Sequence, residues 1–100
     1  MKARIRIAES TVEKLASKHR VTREEVSQCF CNREGRFLKD DREDHQTDPP
    51  TLWFIAETNQ RRKLKLCFVI TRTDAETYVE LKTAYEPNAD EIEIYNRHGS

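Results

Sequence analysis

Residues 48–88 constrain this chain more than any other stretch. Pro49 and Pro50 have no backbone N–H to give a β-ladder, so a strand can begin only after them. The run Thr51-Leu52-Trp53-Phe54-Ile55-Ala56-Glu57-Thr58 is aromatic, aliphatic and β-branched. Asn59-Gln60-Arg61 is a polar break of hairpin-loop length. Residues 62–72 then alternate, with Leu64, Leu66, Phe68 and Ile70 on one face and Lys63, Lys65, Cys67 and Val69 on the other. Residues 77–85 alternate again, Val79 and Leu81 opposing Tyr78, Glu80 and Lys82. The pattern predicts an antiparallel meander with one buried face, which helices elsewhere in the chain must cover.

The flanks supply those helices. Ser10 and Glu13 have the spacing of a capping box, followed by Val12, Leu15, Ala16 and His19 at helical intervals, so a first helix is expected over residues 11–19. Thr22 and Glu25 form a second box, with Val21 and Val26 at the two positions of a hydrophobic staple. That helix buries Val26, Cys29 and Phe30, ends near Arg33 and places Gly35 for a left-handed C-terminal cap. Arg20-Val21 is the corner of a tight helical hairpin. Residues 36–40 read as a strand, residues 41–48 as an acidic loop holding His45, and residues 2–7 as a short edge strand. Asn88 and Glu91 box a terminal helix with Ile92 and Tyr95 on its docking face. The expected fold is a single α+β domain over residues 1–100: an N-terminal helical hairpin packed on a four-stranded antiparallel sheet, then a C-terminal helix.

Leu, Ile, Val and Phe make up 21 of the 100 residues, and 36% are charged, yet the net charge is zero and the apolar residues are periodic. This describes a folded domain with a heavily charged surface. No apolar run is long enough to span a bilayer, and no signal region opens the chain, so a cytoplasmic protein is expected. Cys29, Cys31 and Cys67 are an odd number and read as free thiols; the lone Cys29-x-Cys31 pair has no second ligand pair, so no metal and no cofactor is expected. The neutrality conceals a dipole. Residues 1–23 carry seven Lys/Arg against two Glu, and residues 61–72 carry five positive charges and no negative ones. Residues 39–48 carry five acids against two bases, and residues 86–94 four acids alone. A basic surface on a neutral protein attracts polyanions.

Several local strings resemble the BrnT family of bacterial type II toxins, part of the RelE-like group of small ribonucleases. Lys18-His19-Arg20-Val21-Thr22-Arg23-Glu24-Glu25-Val26 is similar to the family's Lys-His-Gly-Val-Ser-x-Glu-Glu-Ala corner. Trp53-Phe54-Ile55-Ala56 resembles its Arg-Phe-Ile-Ala-Ile strand, and Arg62 with the apolar run to Val69 resembles its Gly-Arg-Leu-Leu-Val-Val-Val segment. Thr83-Ala84 falls at the family's Ser-Ala. Four positions depart: Tyr85-Glu86 stands at a pair of arginines, Glu57 at a frequent Arg, and Arg20 at the turn Gly. The strings from Asp48 to Thr58 and from Thr83 to Asn88 also resemble bacterial chains named ADP-ribosyl-(dinitrogen reductase) hydrolase. Hydrolases of that activity are larger, all-helical and built on clustered carboxylates around metals, a composition this short, strand-rich chain does not share.

The BrnT resemblance implies metal-independent RNA cleavage and an antitoxin partner, with RNA as the substrate and no membrane partner. Such cleavage needs a base for the 2′-hydroxyl, cations for the phosphorane and an acid for the leaving oxygen. His19 suits base or acid near neutral pH. Lys18, Arg62 and Tyr85 complete a candidate catalytic set, Tyr85 donating a proton or stacking on a base, while Lys63, Lys65 and Lys82 are candidates for RNA binding. The bland alternatives are a core histidine at His19, core packing for Tyr85 and Trp53, and a solvated hairpin flank at Arg62-Lys63. A non-catalytic RNA- or protein-binding domain of the same fold fits the same residues.

Overall fold

The computed structural model describes residues 4–40 and 49–99. The acidic segment with His45 lies outside the described residues. The order is β1 (Arg4–Arg6), α1 (Glu9–Lys14, continued by a wider π-wound turn, Leu15–His19), α2 (Arg23–Asn32), β2 (Leu38–Lys39), β3 (Leu52–Glu57), β4 (Lys63–Arg72), β5 (Thr77–Tyr85) and α3 (Ala89–His98).

The meander is present: β3 pairs antiparallel with β4, and β4 antiparallel with β5. The sheet is broader than four antiparallel strands. It has five, in the order β1-β5-β4-β3-β2, and β1 runs parallel to β5 with Ile5 opposite Val79. Phe54 and Leu66, Ala56 and Leu64, and Leu52 and Phe68 are cross-strand partners and share one face. The helical hairpin covers that face. Phe30 of α2 meets Phe54 and Phe68 edge-on, at ring-centroid distances of 4.8 and 5.4 Å, and Phe37 meets the same two rings. Val21 and Val26, the staple pair, are buried with them.

The expectation of one buried face needs correction. Trp53, Ile55, Lys65, Cys67 and Val69 belong to the opposite face and are also buried. Helix α3 packs there, with Tyr95 against Trp53 at 5.7 Å between centroids. The alternation in β5 holds from Tyr78 to Leu81 and is interrupted at Lys82. Cys67 pairs with Thr83 but Phe68 pairs with Leu81, so Lys82 is an extra residue in the ladder. Without that bulge Ala84 would share the face of Lys82; with it, Ala84 joins Leu81 and Val79 in the core.

Three local expectations also change. The Ser10–Glu13 box does not form. The helix starts at Glu9 with Ala8 at its N-cap, because β1 ends at Arg6 and only two residues separate them. The π-wound turn then changes the phase of the stripe, leaving Leu15 buried and Ala16 exposed. Gly35 is not left-handed, for no glycine has positive φ among the described residues. Its missing side chain serves close approach, since a Cβ there would collide with the Tyr95 hydroxyl and the Gly99 carbonyl. The left-handed residue at a helix end is instead Arg20, at φ 54° and ψ 43°. The boxes Thr22–Glu25 and Asn88–Glu91 form as read.

Two stability outcomes follow from this packing. Leu66 is fully buried between the hairpin and the neighbouring strands, so Leu66→Ala is expected to cost about 2–5 kcal/mol in denaturant unfolding. Arg20 holds a conformation that a Cβ disfavours, and its side chain is exposed. Arg20→Gly is therefore expected to raise stability by about 0.5–1 kcal/mol, once the added freedom of the unfolded chain is subtracted. Loss of stability in that variant would remove strain as the account of this corner.

Candidate nucleic-acid interface

The hairpin corner and the start of β4 are more than forty residues apart in sequence and meet in space. Two turns set the geometry. At the corner, the Leu15 carbonyl accepts from the backbone N–H of Arg20 and, at 3.0 Å, from that of Val21. This wide cap leaves the carbonyls of His19 and Arg20 free for an outside donor. Between β3 and β4, Arg61 N–H donates to the Thr58 carbonyl at 2.9 Å, and Thr58 N–H to the Arg62 carbonyl at 2.9 Å. Arg61 takes the left-handed position of this hairpin at φ 65°. The buried Thr58 hydroxyl accepts from the N–H of Arg62 at 3.1 Å and fixes where its side chain leaves the strand.

Arg62 fills the gap between these turns. Its Nη1 donates to the Arg20 carbonyl at 2.7 Å and its Nη2 to the His19 carbonyl at 3.0 Å. Nη1 also donates to Glu25, 3.2 and 3.1 Å from the two carboxylate oxygens, and Nε lies 3.5 Å from Glu86. Arg62 is thus a clamp rather than a solvated flank. The His19 ring lies 5.7 Å from the Tyr85 ring between centroids. His19 is half-buried and Lys18, one residue before it, is exposed. His19, Arg62 and Tyr85 therefore share one neighbourhood, with Lys18 at its rim.

The other candidate cations separate. Lys63 is exposed opposite Glu57 in the ladder, and Lys82, at the bulge, is exposed with its ammonium 3.8 Å from Glu80. Lys65 is only 6% exposed. Its Nζ donates to Glu91 at 2.7 Å and sits over the Trp53 ring, 4.5 Å from the centroid. Tyr85 donates to the same Glu91 oxygen at 2.8 Å.

Burial alone would raise the Glu91 carboxyl; Lys65, the Asn88 N–H and Tyr85 outweigh it and hold it below its ordinary value. Burial would likewise raise Glu25, but the Thr22 N–H and Arg62 hold it low. Burial and the Glu91 carboxylate together push the Tyr85 phenol up, so it keeps its proton. Burial opposes the charge on Lys65, but the Glu91 hydrogen bond outweighs it and holds the ammonium above its ordinary value. The Cys29 thiol is pushed up to about 12, first by burial and then by the Glu25 charge, and stays an unreactive thiol against the Ala56 carbonyl. None of the three cysteines is joined in a disulfide, and no three His, Cys, Asp or Glu among the described residues group to hold a metal. No described helix is long and apolar enough to cross a membrane.

Glu25 and Glu91 are the residues that sequence reasoning left out of the site. It placed them as capping-box partners, and nothing in the local spacing shows that each also reaches a cation on the sheet. No family model matches the chain, and no curated protein matches it.

The two depressed carboxyls give a signed pH dependence. Their contribution is fully present above the unfolded carboxylate range, about pH 4.3, and is lost as pH falls through their lower folded values. Melting temperature is expected to fall steeply below about pH 4 and to fall less in Glu91→Gln, which starts lower at neutral pH. A parallel acid limb in both proteins would remove Glu91 as its cause.

Proposed function

We propose that the chain is a BrnT-like, metal-independent ribonuclease acting at the hairpin corner, held in check by a protein antitoxin. The observation that carries this reading is the convergence of His19, Arg62 and Tyr85, three residues distant in sequence and each suited to a separate part of the reaction. The imidazole of His19 takes the 2′-hydroxyl proton, the freed oxygen attacks the adjacent phosphorus, and the P–O5′ bond breaks as the 5′-oxygen takes a proton from the Tyr85 phenol or from water. The products are a 2′,3′-cyclic phosphate and a 5′-hydroxyl. Arg62 carries the permanent charge that the phosphorane needs. Glu86 is its most easily displaced partner, with the longest contact and a side chain 60% exposed. Tyr85 keeps its proton and offers either a hydrogen bond or a ring on which a base stacks. Lys18, Lys63 and Lys82 are exposed and available to phosphates.

A second reading has its own support. Arg62 is already bound by Glu25 and Glu86, and Lys65 by Glu91, so two cations of the basic stretch are neutralised internally. This favours a domain of the same fold that binds RNA or a protein without cutting it.

One set of variants separates the readings. RNA affinity is expected to fall with salt on a log–log slope of about −0.7 per phosphate contacted, and Lys63→Ala flattens that slope by about one contact. His19→Ala is expected to slow cleavage by about a hundred- to ten-thousand-fold with its melting temperature nearly unchanged. Binding without cyclic-phosphate ends in the wild type selects the non-catalytic domain. Absent or salt-independent RNA binding removes both nucleic-acid readings.

A further inference from the structure

Glu86 stands where a ligand of Arg62 would. The N–H groups of the guanidinium can be followed one by one. Nη1 donates to the Arg20 carbonyl and to both oxygens of Glu25. Nη2 meets one acceptor among the described residues, the His19 carbonyl. The Nε N–H points at Glu86 across 3.5 Å, longer than a well-made hydrogen bond to a carboxylate. The Nε group and one N–H of Nη2 are therefore left for a ligand.

The two carboxylates on Arg62 are held differently. Glu25 has contacts of 3.1 and 3.2 Å and is fixed from behind by the Thr22 N–H at 3.1 Å. Glu86 makes one contact, its side chain is 60% exposed, and among the described residues Arg62 is its one ionic partner. An exposed pair of this kind is weak and screened by salt. The backbone beneath Glu86 is anchored on both sides. Pro87 confines Glu86 to extended conformations. The Tyr85 hydroxyl and the Asn88 N–H, on either side of these two residues, both donate to the Glu91 carboxylate, at 2.8 and 3.0 Å. Release of Arg62 thus needs only rotation of an exposed side chain, a fast and local event. An anion replacing Glu86 would be held at the corner where the His19 and Tyr85 rings lie.

We propose that Glu86 is a self-inhibiting residue: its carboxylate occupies the phosphate position on Arg62, and a phosphate group of bound RNA displaces it while Glu25 keeps the guanidinium in place. The inference rests on the reading that Arg62 meets the substrate phosphate. It gives the exposed carboxylate the role of competitor and the half-buried one the role of positioning residue. The corner is closed until phosphate arrives, and its affinity for phosphate is lower than an uncontested Arg62 would give.

The test compares the wild-type chain with Glu86→Gln and Glu86→Ala, and with Asp74→Asn as a control for net charge. Asp74 is exposed in the turn between β4 and β5, about 30 Å from Arg62 along β4 and beyond the reach of screened charge. Two probes report binding: inorganic phosphate, and a single-stranded RNA with 2′-O-methyl sugars, which cannot be cut. Both Glu86 variants are expected to bind each probe about three- to tenfold more tightly than wild type, because the competing pair is gone and a like charge no longer sits beside the phosphate. Phosphate is expected to shift the Arg62 Nε–H resonance in these variants, and Asp74→Asn to match wild type within about twofold. Melting temperatures are expected to stay nearly unchanged, since an exposed pair contributes little. Unchanged or weaker binding in the Glu86 variants overturns the proposal. An equal gain in Asp74→Asn overturns it too, as does phosphate binding that leaves the Arg62 resonance unmoved. These binding arms decide the matter whether or not the chain cuts RNA. If it does cut, the gain is expected in KM with kcat within about twofold, and a large fall in kcat overturns the proposal by making Glu86 part of the chemistry.

Discussion

Two glutamates at the third position of their helices hold this structure together. Glu25 and Glu91 each return one carboxylate oxygen to the N-cap N–H of its own helix, at 3.1 and 3.0 Å. Each also meets a cation at the start of β4, Arg62 just before the strand at 3.1 Å and Lys65 within it at 2.7 Å. A capping box is ordinarily a local device that satisfies orphan donors. Here the same carboxylates join α2 and α3 to opposite faces of one strand. Arg62 immediately precedes β4 and Lys65 lies within it, three residues on, so the start of one strand fixes the placement of both helices.

The arrangement explains why a chain with modest apolar content buries both faces of its sheet. Aromatic packing fills the hairpin side, where Phe30, Phe37, Phe54 and Phe68 form a cluster of edge-on and tilted rings. The other side has fewer apolar groups and uses a buried ammonium, satisfied by Glu91 and by the Trp53 and Tyr85 rings. A buried cation is tolerated only when paired and hydrogen-bonded, a condition the Asn88–Glu91 box meets by fixing the carboxylate in place. The same clamps set the geometry at the hairpin corner. Arg62 positions His19 through its backbone carbonyl, and Glu91 positions Tyr85 through its hydroxyl. The two rings that face each other are thus held by the residues that hold the fold.

The strands of the meander, the two forming capping boxes and the staple were legible in the sequence because each depends on residues within a few positions of one another. Alternation from Lys63 to Ile70 marks a strand whatever it pairs with, and Thr22 three residues before Glu25 marks a helix start. Local signals also misled where a neighbour intervened. Ser10 has a suitable partner in Glu13, but β1 delivers the chain into the helix two residues sooner. Gly35 looks like a helix cap and instead makes room for Tyr95, fifty-nine residues from the Arg36 carbonyl that its hydroxyl binds.

The sequence by itself determined which segments are strands and helices and which stretches are basic, since periodicity and charge are properties of neighbouring residues. Only the tertiary structure decided what the basic residues do. Lys63 and Lys65 are two apart and look equivalent, yet one is exposed and the other buried beneath α3. The parallel pairing of β1, the extra residue at Lys82 and the approach of His19 to Tyr85 were likewise tertiary outcomes. Each depends on contacts between distant segments, whose energies come from burial and pairing that no local spacing encodes.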